Sequence, residues 1–157
     1  LEQITGIRIE ALPHADFTNG GLARSDSGNF VLTEFIVEAR SAHDDKPQRV
    51  TIASALATFE QGGWPVKSAF DGNNATGWAV HNPGDMKIAR RAAFVFDKPV
   101  AGGPGTRFRL RLEHQSPHPN HNLGRFRIAV VAGGHRPGLS EELGLAVPEG
   151  GALELVD

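Results

Sequence analysis

Short runs in which hydrophobic and polar residues alternate recur along the chain, and they predict β-strands. In the segment 4–12, isoleucines alternate with Arg8 and Glu10, which is typical of a strand with one buried face. The same period of two recurs at 106–114 and 125–131, where arginines alternate with Phe, Leu, Ile and Val. These segments should therefore each bury their apolar face and expose their charged one.

Three further segments predict strands of other kinds. The segment 30–38 is apolar on both faces apart from a Thr-Glu pair, which favours a central strand of a sandwich. The segment 50–59 is compatible with a strand or a short helix, and the strand is preferred. A strand at 92–96 is expected to end at the Asp-Lys-Pro sequence 97–99.

About seven such strands, separated by turn-rich loops, predict an all-β sandwich. The chain has 157 residues, of which 39% are hydrophobic, and it contains 19 Gly and 10 Pro. This is enough apolar material for one core, and we expect a single domain at 1–134. The pattern changes after this point, so 135–157 is expected to be a C-terminal extension or linker.

Charge and composition exclude several classes of function. The net charge is −2, which provides no general basic field for nucleic acid, and no run of 18 apolar residues predicts a membrane span. Cysteine is absent, which excludes disulfides and thiolate chemistry. The first residue is Leu1, and we expect the sequence to be a piece of a longer protein.

The segment 68–78 carries the strongest local signal. Asp71, Asn73, Asn74 and Thr76 place four oxygen-bearing side chains within six residues, between two glycines. Oxygen donors of this kind suit a hard cation such as Ca²⁺, provided that a second carboxylate comes from elsewhere. The alternative is an Asx-rich turn that holds no ion.

The sequence AFDGNNATGW at 69–78 resembles the hallmark of discoidin-type (F5/8 type C), galactose-binding-like domains, which include many carbohydrate-binding modules. The resemblance implies a jelly-roll β-sandwich with a structural Ca²⁺ in this loop. It implies as ligands the Ser68 carbonyl, the Asp71 side chain, the Asn73 carbonyl, and the hydroxyl and carbonyl of Thr76.

The same family often adds a glutamate from a strand, and the sequence TEFIV at 33–37 matches that strand, which makes Glu34 the candidate second carboxylate. In the usual order the glutamate strand ends the domain, whereas here it precedes the loop. The resemblance therefore implies a permuted strand order.

A resemblance over residues 4–131 is carried by four blocks: GNFVLTEF at 28–35, GGWPV at 62–66, TGWAVH at 76–81 and LGRFR at 123–127. These blocks look like the sandwich insert of large secreted planctomycete proteins with PSD1-type flanking domains and often a cytochrome c domain. The resemblance implies an extracytoplasmic location (secreted, periplasmic or cell surface), with neighbouring domains of the parent protein as partners. A glycan-binding role follows by analogy with relatives of the fold.

Candidate ligand-binding residues are aromatic and polar. Of the two tryptophans, Trp78 is expected in the core, whereas Trp64 lies in a Gly-Gly-Trp-Pro turn and could face a sugar ring. His81, at the end of the Trp78 strand, is expected to approach His121 at one edge of the sandwich and to orient sugar hydroxyls. His118 shares the loop of His121.

Arginines and histidines leave two alternatives open. If the strands 106–114 and 125–131 pair, five arginines, including Arg125, line one sheet face, and Arg90 and Arg91 could extend it. Such a face would suit an acidic polysaccharide, although a solvated face with cross-strand partners is preferred. His114, His118 and His121 near Glu113 would suit a transition metal, although a solvated loop is preferred.

The sequence contains no nucleophile elbow, no His-Glu-x-x-His and no phosphate loop, so it predicts a protein without catalytic activity. The leading hypothesis is a carbohydrate-binding module of a larger protein, with a structural Ca²⁺ and a polysaccharide or oligosaccharide ligand. The alternative is a structural or protein–protein interaction module that binds no glycan.

Overall fold

The computed structural model describes residues 3–41, 44, 46–133, 145–146 and 154–155. The strands are β1 (Gln3–Leu12), β2 (Val31–Leu32), β3 (Glu34–Arg40), β4 (Gln48–Val50), β5 (Ile52–Ala57), β6 (Trp78–Ala79), β7 (Arg90–Ala101), β8 (Arg107–Glu113), β9 (Arg125–Ala132), β10 (Leu145–Ala146) and β11 (Glu154–Leu155). The described helical segments are two 3-10 turns, Thr18–Gly20 and Val66–Ala69.

The strands form antiparallel sheets that enclose one core. One sheet has the order β5-β7-β1-β9, a second has the order β4-β3-β8, and β2 pairs with β6. Aromatic rings join the two larger sheets: the ring centroids of Phe35 and Phe94 lie 4.6 Å apart, and those of Phe96 and Phe108 lie 6.3 Å apart. The prediction of an all-β, sandwich-like architecture is confirmed.

Alternation positions β8 and the isoleucines of β1 as the sequence predicts. The prediction is wrong for Glu10 of β1, which is buried because it pairs with Arg91 and Arg127, and for the apolar face of β9, where Phe126 and Val130 are exposed at the edge of the sheet. Ile7 and Ile9 of β1 are fully buried, and the arginines of β8 are exposed while Phe108 lies against the core. β3 occupies the centre of its sheet and is largely buried on both faces. The segment 50–59 contains β5, which confirms the preference for a strand there.

Thr33 divides the segment that was predicted as one strand. Residues before it form β2, which pairs with β6, and residues after it form β3, which pairs with β4 and β8. The Thr33 hydroxyl donates a hydrogen bond to the Glu113 carbonyl at 3.0 Å and accepts one from the Gln115 amide at 3.0 Å. These bonds satisfy backbone groups where the chain passes from one sheet to the next.

The predicted end of the strand at 97–99 is wrong, because β7 continues through Pro99 to Ala101. The register with β5 ends at Phe96, apart from a hydrogen bond from the Asp97 amide to the Thr51 carbonyl at 2.9 Å, and residues 97–99 face a register irregularity of β1 between Ile4 and Gly6. A proline lacks the amide hydrogen that a ladder needs, and it is tolerated at such an irregular, one-sided position.

The remaining predictions of organisation concern the chain ends and membranes. In the expected extension 135–157, most residues lie outside the described part; β10 and β11 are described and pair with each other. Within the described residues, no helix is long and apolar enough to cross a bilayer.

Candidate functional site

The loop 71–76 closes on itself through its own oxygen atoms. The Thr76 hydroxyl oxygen lies 2.8 Å from both Asp71 Oδ2 and the Asn73 carbonyl oxygen. The Asn73 amide donates to Asp71 Oδ1 at 2.9 Å, and the Ala75 amide donates to Asn73 Oδ1 at 3.1 Å. Gly72 adopts a φ of +80°, which a glycine reaches without the strain of a side chain.

Glu34 reaches this loop from β3, thirty-eight positions earlier in the chain. Its Oε1 accepts hydrogen bonds from the Gly72 amide at 2.6 Å and the Asn73 amide at 3.1 Å, and the residue is only 5% exposed. A buried carboxylate is costly unless it is paired, and these two amides partner it. Glu34 therefore fixes the loop to the three-stranded sheet.

This corner collects the donor chemistry that calcium prefers. Asp71 Oδ2, the Asn73 carbonyl and the Thr76 hydroxyl lie within one cluster, the Glu34 carboxylate reaches the same loop, and Ser68 lies in the 3-10 turn just before it. Calcium binds six to eight oxygens, including carboxylate, hydroxyl and carbonyl oxygens. The residue types present, two carboxylates and neutral oxygens, are ones that could hold such an ion. The hydrogen bonds of the loop also match the alternative from the sequence, an Asx-rich turn, because the amides of Asn73 and Ala75 donate to the side chains of Asp71 and Asn73.

A second region forms around a tight turn at Trp64. Gln61 and Trp64 form a β-bridge across Gly62 and Gly63, with the Trp64 amide donating to the Gln61 carbonyl at 2.8 Å. The turn pairs with β6, because the Gln61 amide donates to the Ala79 carbonyl at 2.9 Å. This pairing holds the half-exposed Trp64 ring beside the strand that leads to His81.

The loop 114–124, which joins β8 to β9, brings the other rings to this turn. The Val31 amide donates to the His121 carbonyl at 2.8 Å, and His114 Nδ1 donates to the Val31 carbonyl at 2.7 Å. The His118 ring then lies edge-on to Trp64 at 6.2 Å and 5.3 Å from the His121 ring. Both contacts with β2 therefore position the histidines against the tryptophan.

Together these elements enclose a hollow of about 150 Å³, which we call the Trp64 hollow. Its lining consists of Ser27, Asn29, Val31, Gln61, Trp64, Ala79, His81, His118 and His121. The Gln61 side-chain oxygen accepts hydrogen bonds from Asn29 Nδ2 at 3.2 Å and from the His81 amide at 3.1 Å. Asn29 Oδ1 in turn accepts a hydrogen bond from the Val80 amide at 3.0 Å. The floor of the hollow is therefore a polar network held by the backbone.

Four predicted ligand-binding residues thus lie in the Trp64 hollow, and two lie elsewhere. Arg90 is 7% exposed, its guanidinium carbon lies 4.5 Å from the centre of the Phe59 ring, and it pairs with Asp85 at 2.9 Å. Arg125, at the start of β9, lines a different hollow. The expectation that Trp78 is a core residue is confirmed, because it is fully buried.

The two arginine rows do not share a sheet. β8 pairs with β3, whereas β9 pairs with β1, so the surface of five arginines that strand pairing would have made does not form. Several of these arginines have acidic partners, in the pairs Arg109–Glu38, Arg111–Glu113 and Arg127–Glu10. The preferred interpretation, a solvated face with ion-pair partners, matches these contacts.

The three histidines of the 114–124 loop do not face one another as a set. His114 points to Val31, while the His118 ring lies between the rings of Trp64 and His121. Burial lowers the pKa of His114 below its ordinary value and outweighs the hydrogen bonds to backbone carbonyls that raise it. Among the described residues, no three His, Asp or Glu side chains are grouped as metal ligands.

Sequence reasoning missed Asn29 and Gln61, which form the polar floor of the Trp64 hollow. A signal for Gln61 was present, because two glycines between two residues are typical of a tight hairpin turn that places its flanking residues opposite each other. Asn29 carries no such signal, since its role depends on contacts with residues more than thirty positions away.

Comparison with protein-family models, with curated proteins and with solved structures finds no match to this chain. The support for a function is therefore the geometry of the described residues.

Proposed function

We propose that this chain is a non-catalytic carbohydrate-binding module with a structural Ca²⁺, acting within a larger extracytoplasmic protein. The observation that carries the proposal is the Trp64 hollow, where a half-exposed indole ring lies among histidine rings and a fixed amide network. An indole face packs against the apolar face of a sugar ring, and imidazole and amide groups hydrogen-bond to hydroxyls. The small volume suits the end or one ring of a glycan.

Calcium in this proposal stabilises the corner around the loop 71–76 and does no chemistry. Asp71 and Glu34 supply the charge, and the Ser68, Asn73 and Thr76 oxygens complete the shell. Because the corner and the Trp64 hollow use different residues, the ion contributes to folding more than to affinity.

A glycan screen tests the proposal, followed by calorimetry with each hit on the wild type and on Trp64→Ala. We expect a hit whose affinity falls at least tenfold, about 1.4 kcal/mol, when the indole is removed. Lys67→Ala, an exposed residue of the neighbouring 3-10 turn, is the control and should bind as the wild type does. A hit that binds Trp64→Ala and wild type equally would contradict the site.

The second candidate, a structural or protein–protein interaction module, is favoured by the apolar edge of β9. Phe126 is 44% exposed and Val130 is 55% exposed, although their cross-strand partners on β1 are buried. Blank screens on neutral and acidic glycans, together with a concentration-dependent association that Phe126→Ser abolishes, would favour this candidate.

A further inference from the structure

A second hollow, of about 680 Å³, shares the 114–124 loop with the Trp64 hollow. We call it the Arg24 hollow; its main lining residues are His14, Phe17, Arg24, Asn122, Leu123 and Arg125. Asn120 and Asn122 line this hollow, whereas His118 and His121 of the same loop line the first. Its volume falls in the range of small-molecule binding sites.

Close packing fixes the floor of the Arg24 hollow. A Cβ atom added at Gly124 would lie 2.5 Å from Phe17 Cε2 and 2.7 Å from the Leu22 carbonyl oxygen, so only a glycine allows the buried Phe17 ring to lie against the start of β9. The Arg24 guanidinium carbon lies 5.4 Å from the centre of this ring. The aromatic face therefore orients the planar guanidinium over an apolar floor.

The Arg24 hollow has two guanidinium groups, those of Arg24 and Arg125, that are not paired with carboxylates of the described residues. In the described part of the chain, Arg24 and Arg125 have no carboxylate within ion-pair distance, in contrast to Arg109, Arg111 and Arg127. Asp16, the one acidic residue of the lining, lies 3.6 Å from His14 Nδ1. The two guanidinium groups thus keep their hydrogen-bond donors free for a ligand.

We propose that the Arg24 hollow binds an anionic group, a carboxylate or a sulfate, carried by a sugar residue next to the one held at Trp64. Guanidinium forks match the paired oxygens of both groups, and Asn122 provides a neutral donor. The whole chain has a net charge of −2, so general attraction of a polyanion does not account for such binding. The inference rests on the proposed glycan-binding function and names its ligand class as an acidic glycan.

Calorimetry with dextran sulfate, polygalacturonate and neutral dextran, at one ionic strength, tests the inference on the full chain. We expect one or both anionic polymers to bind, and the double substitution Arg24→Gln with Arg125→Gln to weaken that binding at least tenfold. Preference for dextran sulfate assigns sulfate, and preference for polygalacturonate assigns carboxylate. Arg107→Gln, at the far end of β8 from the 114–124 loop, removes one exposed charge elsewhere and should change the affinity less than twofold.

Four outcomes would overturn the inference: no binding of either anionic polymer, binding that dextran matches, unchanged binding by the double variant, or an equal loss in the Arg107→Gln control. Thermal unfolding of the double variant checks its fold, and we expect it to melt as the wild type does because both arginines are exposed. The proposed function is tested separately, by comparing the binding of neutral glycans to the wild type and to Trp64→Ala. If a neutral glycan binds and requires Trp64, but the double arginine variant binds as the wild type does, the proposed carbohydrate-binding module is supported and the anion site is ruled out.

Discussion

The corner at the loop 71–76 and the Trp64 hollow use similar polar residues for different ends. At the corner, the side chains of Asp71, Asn73 and Thr76 bond to each other and to the loop backbone, and a buried glutamate fixes the loop. At the hollow, Asn29 and Gln61 form the floor while the rings of Trp64, His118 and His121 remain partly open. The first arrangement fixes a loop to the fold, and the second leaves ring surface exposed, which is where we propose that a ligand binds.

The largest effect is expected from Glu34→Ala. This change leaves the Gly72 and Asn73 amides without their acceptor and detaches the loop from β3, so the free energy of unfolding should fall by roughly 2–4 kcal/mol. Urea unfolding measures the change. The matched control is Glu38→Ala on the same strand, which loses a partly exposed pair with Arg109 and should cost less than about 1 kcal/mol. Equal costs for the two variants would contradict the anchoring role of Glu34.

A smaller effect is expected from removing the calcium that we propose for this corner. With the ion at about a hundredfold above its dissociation constant, binding stabilises the folded state by roughly 2.7 kcal/mol, and a chelator should remove that contribution. The melting temperature should then fall by several degrees in the wild type and not in Asp71→Asn. If a chelator in metal-free buffer leaves the melting temperature of the wild type unchanged, the hydrogen bonds alone stabilise the loop.

The smallest effect concerns pH and His114, whose ring joins the 114–124 loop to Val31. Its folded-state pKa is lowered from 6.5 by burial, so the folded protein binds fewer protons than the unfolded chain. The contribution of His114 to the free energy of unfolding is therefore fully present above pH 6.5. It is lost as the pH falls from 6.5 towards the pKa of His114 in the folded protein. The free energy of unfolding, measured from pH 7.5 to 5, should show this decline in the wild type and a flatter profile in His114→Gln. Parallel profiles of the two proteins would mean that groups other than His114 cause the decline.

The sequence predicts those parts of the fold that depend on local pattern. The alternation in β1 and β8 identifies their buried faces, because a strand exposes every second residue to the same side. The break at Thr33 and the continuation through Pro99 depend on which strands lie alongside, which no local pattern contains. The separation of the arginine rows into two sheets has the same cause.

The candidate site divides in the same way. Residue type and position in turns make Trp64 and the histidines candidates, and a family resemblance makes Glu34 one. Asn29 and Gln61 were missed because a buried amide network is recognisable only when distant backbone groups are brought to it. Arg90, also a candidate by residue type, lies apart from the Trp64 hollow, since its burial on Phe59 depends on long-range packing.

A crystal structure grown with calcium and soaked with the oligosaccharides that score in the screen is the most direct measurement. It should show a sugar ring against the Trp64 indole, with His81 or His121 at its hydroxyls, and a cation bound by Asp71 and Thr76 at the separate corner. A sugar bound away from Trp64, or a cation and a sugar sharing one site, would contradict the division between a stabilising corner and a binding hollow.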